Sequence, residues 1–169
     1  GALDNLASGI DNFASGLAQM REKQKDEKVA NAVATSDYTQ RELAIRNNTP
    51  ADGAGYYNTV SEDYRKFVDE KADEIDDAQA RQEYKKRMLA QMPNVQSRSA
   101  QYEFTVAATN SKEQANAALM ALENKVTSDP TQYDVFVKQG LDVIDARPDL
   151  NATTKEGMKI QWRQNSAKS

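Results

Sequence analysis

The residues best equipped for chemistry are carboxylates, and they crowd into one stretch: Asp63, Asp69, Glu70, Asp73, Glu74, Asp76 and Asp77. Two carboxylates held on either side of a glycosidic bond would cleave it, one as acid and the other as base or nucleophile. Here they alternate with Lys66, Lys71 and an apolar stripe, which is the pattern of a solvated helix face. Calcium-loop spacing is missing, and Asp52-Gly53 is not followed by the oxygen ligands that such a loop needs. The chain has no histidine and no cysteine, so a serine would lack its usual base, and thiolate nucleophiles, zinc-thiolate sites and a disulfide framework are ruled out. Gly53-x-Gly55 sits among turn residues rather than between a strand and a helix, which argues against a phosphate cradle. Arg81, Lys85, Lys86 and Arg87 are the densest basic cluster, but Glu83 lies among them, and helical spacing makes them another solvated side. The expectation is therefore no catalytic residue, no cofactor, no metal ligand and no small-molecule substrate in this segment.

Composition narrows the classes further. Twenty-six acidic against twenty-two basic residues leave a formal charge of -4, the wrong sign for a chain that binds nucleic acid through phosphates. With 38% hydrophobic and 28% charged residues and only four prolines, the profile suits helices that each bury one apolar stripe. No run approaches the roughly eighteen apolar residues of a membrane-spanning helix, and the N-terminus lacks the features of a signal peptide. The Gly1-Ala2 start and the close at Ser169, just past a helical pattern, suggest a piece cut from a longer protein with a tag scar at its front.

The elements follow from the spacing of apolar residues. Leu3, Leu6, Ile10, Phe13, Leu17 and Met20 recur at intervals of three and four, the seam of a coiled-coil helix. Ala7-Ser8-Gly9-Ile10 returns as Ala14-Ser15-Gly16-Leu17, placing small residues beside that seam where another backbone could come close. Each glycine costs a helix about 1 kcal/mol relative to alanine, so this helix should need a partner. A weaker stripe through Val29, Ala30, Val33, Leu43 and Ile45 extends the helix to about Arg46. Asn47 to Gly55 then gathers nearly every breaker type. Tyr56-Tyr57 could be an exposed aromatic binding pair, with packing of the loop onto the bundle favoured.

Beyond the loop, Thr59 with Glu62 has capping-box spacing, and Val60, Tyr64, Phe67, Val68, Ala72 and Ile75 mark a helix face. Asp76-Asp77 offers a break, Ala80 to Met92 a second stripe, and Pro93 a boundary. Val95 to Val106 and Ala115 to Val126 make two further faces, the latter capped by Ser111 and Gln114. Asp129-Pro130 starts a helix through Ile144, Arg147-Pro148 ends it, and Thr153 with Glu156 opens the last one around Met158 and Trp162. The expected architecture is all-α and elongated: an arm over 1–46, a loop over 47–58, and an antiparallel helical bundle over 59–169.

Leu43-Ala44-Ile45, the loop Asn48-Thr49-Pro50-Ala51-Asp52-Gly53-Ala54-Gly55-Tyr56-Tyr57, Tyr64-Arg65-Lys66-Phe67 and Arg81-Gln82-Glu83-Tyr84 resemble the helical N-terminal regions of large bacteriophage virion proteins of the internal or ejection type. The resemblance runs from about residue 3 to 165. It implies a structural, oligomer-forming part of a virion that accompanies DNA into the host, often joined downstream to a transglycosylase or peptidase domain. No catalytic residue of that family maps onto this chain, and a catalytic domain would lie beyond residue 169.

The leading expectation is a phage or prophage virion-associated structural fragment acting by helix association, located in the virion or the host cytoplasm. Its contact residues are Leu3, Leu6, Ile10, Phe13, Leu17 and Met20, and its partners are other copies of itself or other virion proteins. Membrane contact is disfavoured, because the polar side of the seam carries Asp4 and Asp11 and no lysine or arginine precedes Arg21. Two alternatives stay open: a bacterial helical interaction or scaffold module, and a non-catalytic accessory region of a cell-wall hydrolase. Docking of the seam on its own bundle or on a partner is equally open.

Overall fold

The computed structural model describes all 169 residues and is all-α, with no strand. Its helices are α1 (Ala2–Thr35), α2 (Thr39–Asn47), α3 (Tyr56–Asp73), α4 (Ala78–Leu89), α5 (Met92–Ser128), α6 (Tyr133–Asp145) and α7 (Ala152–Lys168). A single 3-10 turn, Pro130–Gln132, leads into α6. The long N-terminal helix and the helical bundle packing are as expected from the spacing.

Most boundaries sit where local chemistry puts them. Asp77 caps α4 by accepting from the Ala80 amide, and Pro93 lies in the first turn of α5, where its missing N–H costs nothing. Asp129 accepts from the Thr131 amide ahead of α6.

Other boundaries correct the expectation. The N-terminal helix does not run unbroken to Arg46, because Ser36, Asp37 and Tyr38 interrupt it. The Ser36 hydroxyl turns back to the Ala32 carbonyl, while Asp37 accepts from the Thr39 amide and starts α2. Short polar side chains thus offer the backbone an alternative to the helix. Val95 to Val126 is not two helices but part of the 37-residue α5, and Ser111, expected as a cap, is buried in its middle. Helix α3 begins three residues before Thr59, so Thr59 and Glu62 lie inside it. Asn151, not Thr153, caps α7 by accepting from the Thr154 amide.

Two compact units form. One comprises Gly1–Ile45 with Asn58–Ser97, the other Arg46–Tyr57 with Arg98–Ser169. In the first, Tyr38 meets Tyr64 edge-on at 5.2 Å and Phe67 at the same separation. Helices α3 and α4 are antiparallel, tied by the Tyr64 hydroxyl donating to the Met88 carbonyl at 2.8 Å and by Lys85 pairing with Asp69. Only the C-terminal half of α1 joins this core. Val29 is fully buried there, the Ser36 and Tyr84 hydroxyls share a hydrogen bond, and Lys25 reaches Gln79.

The second unit holds a core of Ala115, Leu119, Leu122, Ile144, Leu150, Met158 and Trp162. Helix α6 runs antiparallel to α7, with Trp162 opposite Val137 and Lys159 opposite Asp145. Gly140 is required at the crossing, since a Cβ there would collide with the Trp162 indole. The loop before α3 belongs to this unit. Gly53 (φ 76°) and Gly55 (φ 82°) adopt left-handed backbone that favours glycine, and Tyr56 is fully buried against Tyr102, with the Arg46 guanidinium 4.2 Å from the Tyr102 ring centre. Packing, rather than display of an aromatic pair, is what Tyr56 does.

Candidate assembly surface

The seam residues occupy the N-terminal half of α1, and that half is bare. Leu3 is 81% exposed, Leu6 61%, Ile10 60%, Phe13 73% and Met20 56%, and only Leu17 is partly covered. A protein surface normally scatters such side chains singly. Here five of them line one side of one helix over about 26 Å of its length.

Geometry explains why this side stays uncovered by the rest of its own unit. At 3.6 residues per turn, the mean direction of the seam lies about 110° around the helix from that of Lys25, Val29 and Ser36, the positions through which α1 joins α4. Continuing the docked stripe toward the N-terminus therefore does not reach Ile10 or Phe13.

The repeat is also longer than its Ala-Ser-Gly core. Leu3-Asp4-Asn5-Leu6-Ala7-Ser8-Gly9 is followed directly by Ile10-Asp11-Asn12-Phe13-Ala14-Ser15-Gly16. In heptad terms leucine, isoleucine and phenylalanine take the seam, Ala7, Ala14, Gly9 and Gly16 flank it, and aspartate, asparagine and serine take the outside. Neither Gly9 nor Gly16 has any neighbour within 4 Å of where a side chain would begin. Two glycines that weaken the helix by about 1 kcal/mol each gain nothing from packing within the chain.

Most of the crowded carboxylates and part of the basic cluster are tied to partners within the chain. Of the crowded carboxylates, Asp63 and Glu70 both bind Arg41, Asp69 pairs with Lys85, Glu74 with Lys71, and Asp77 is the α4 cap. Among the basic cluster, Arg81 donates to the Ile75 carbonyl at the end of α3 and Arg87 pairs with Glu83. No group of three or more acidic side chains comes together in a way that could hold a metal ion, and no helix is long and apolar enough to cross a membrane.

The Arg41 cluster escaped sequence reasoning, because its members are twenty-two and twenty-nine positions apart and lie on different helices. Arg41 donates from Nε to Asp63 at 3.0 Å and from its two terminal nitrogens to Asp63 and Glu70. Its guanidinium also lies 5.5 Å from the Phe67 ring centre, and the Tyr38 hydroxyl donates to Asp63 at 2.8 Å. Burial pushes the Asp63 carboxyl up, but the hydrogen bonds from Arg41 and Tyr38 and the Arg41 charge outweigh it and hold the group below its ordinary value. Burial and the neighbouring Asp63 push the Tyr38 phenol up.

A carboxyl with a lowered folded-state value stabilises the protein above the unfolded value of about 3.9, and that contribution disappears as pH falls through the folded value. The first unit should therefore lose stability on acidification from about pH 5 downward. In Asp63→Asn that acid-dependent part should shrink, which denaturation midpoints measured across this pH range would check. Equal acid sensitivity in both proteins would remove Asp63 from the explanation.

Compared with protein-family models, with curated proteins and with solved structures, the chain gives no match.

Proposed function

We propose that this chain is a non-enzymatic assembly module of a bacteriophage or prophage virion, working through association of the N-terminal half of α1 with the same helix of further copies. One observation carries the reading: a heptad seam of six apolar positions, five of them exposed, on a helix half that has no other role in its unit. Hydrophobic burial is the driving force, at about 1.5–3 kcal/mol for each large side chain covered. The virion setting is supported by the resemblance of the Thr49 to Tyr57 loop and the helices after it to phage internal proteins, and on this reading the chain accompanies DNA into the host.

Two measurements test this reading. Sedimentation of the purified chain should give masses rising with concentration to multiples of 18.8 kDa, and a monomer throughout the micromolar to millimolar range would refute association. Mass spectrometry of purified particles from the source strain should recover its peptides, and particles free of them would refute the virion setting.

A further inference from the structure

Resting on that self-association, we infer that the α1 arms assemble as a bundle of more than two copies, with each arm contacting a neighbour on both flanks. A two-stranded coiled coil buries only the two seam positions of each heptad and leaves its flanking positions to charged side chains that choose the partner. Through the two full heptads from Leu3 to Gly16 this helix has no charge there, and Arg21 and Lys23 take the flanks only past Met20. Ala2, Ala7, Gly9, Ala14 and Gly16 occupy the flanks, so that the face free of polar side chains spans roughly 150° of the helix rather than the narrow strip of a pair. A face that wide is covered only from two sides.

The small flanks also supply the space. Large seam residues facing alanine and glycine on a neighbour interdigitate without voids, and the open surroundings of Gly9 and Gly16 are where a second backbone would lie. Self-pairing fits the electrostatics. From Ala2 to Met20 the only ionisable side chains are Asp4 and Asp11, both on the outside of the heptad, so copies in register bring no like charges together at the contact. The exposed fractions of the seam residues leave roughly 700 Å² per copy available for burial, at most the order of the ~800 Å² per partner of a stable interface.

Native mass spectrometry with sedimentation equilibrium on the full chain tests the inference. The unmodified protein should populate trimers or larger species. Ala7→Glu with Ala14→Glu, which charges one flank and leaves the seam intact, should reduce it to a dimer while circular dichroism shows the rest of the chain folded. A wild-type dimer would overturn this inference and leave the assembly reading standing. A wild-type monomer would overturn both. Wild-type stoichiometry kept in the flank variant would show the flanks to be outside the contact.

Discussion

Ile10→Asp combined with Phe13→Asp is expected to leave the protein monomeric at concentrations where the unmodified chain associates. Both side chains lie at the centre of the seam, and both are mostly exposed within the chain, so neither contributes to the core of its own unit. Losing two buried large side chains at about 1.5–3 kcal/mol each removes at least about 3 kcal/mol from the contact per copy. Placing carboxylates in an apolar interface adds a desolvation penalty to that loss. A change of about 4 kcal/mol corresponds to roughly a thousandfold weaker association.

A second consequence distinguishes loss of contact from general unfolding. Freed of its partner, the first half of α1 carries two glycine penalties and has no tertiary packing to offset them, so helicity should fall there alone. The protein has a single tryptophan, Trp162, and its emission reports the second unit. That emission should be the same in variant and wild type, while mass and total helicity both drop. Unchanged mass in the double variant would remove the seam from the account.

Trp162→Ala should produce the largest loss of stability available to a single substitution in the second unit. The indole is 2% exposed and is surrounded by Leu119, Leu122, Ile144, Leu150 and Met158. Its Nε1 donates to the Val137 carbonyl at 2.9 Å. Truncation to alanine leaves a large cavity, typically costing about 3–5 kcal/mol, and removes the indole's hydrogen bond to α6. Against a total of about 5–15 kcal/mol for an ordinary domain, that is a large share. Chemical denaturation followed by circular dichroism should show the loss. A shift below about 1 kcal/mol would mean that the unit can collapse around the gap, contrary to the close fit of Gly140 beneath the ring.

Much of this fold was legible because its helices carry their own signals. Val60, Tyr64, Phe67 and Val68, and later Met158 and Trp162, stand at helical spacing in the sequence and are buried in the structure. The prolines and aspartates at Asp77, Pro93 and Asp129 mark starts that local hydrogen bonding is sufficient to enforce. Misreadings arose where two local signals compete. Ser36-Asp37 could have been seen as a stop and a cap, but the apolar stripe beyond it suggested continuity. Thr59-Glu62, Ser111-Gln114 and Thr153-Glu156 have capping spacing, yet the helices begin earlier or never break.

At the N-terminus of α3, two amides that a sequence cap would satisfy are taken by a distant residue. Glu103 accepts from the Gly55 and Tyr57 backbone N–H groups, and nothing near Thr59 in the chain announces this. The same holds for Arg41 with Asp63 and Glu70, where tertiary folding makes the pairing. The candidate surface differs from these, because its heptad is written in adjacent residues. Its exposure was not legible, since a seam of this kind serves equally for docking within a chain. Only the position of α4 around α1 separates the two outcomes.

The most direct test of the central claim is amide hydrogen exchange of residues 2–20, followed as the protein is diluted. Association through the seam predicts slow exchange in concentrated samples that accelerates toward the free-peptide rate on dilution, while Val29 to Thr35 keeps its protection throughout. Exchange in residues 2–20 that does not change with concentration, whether fast or slow, would contradict it.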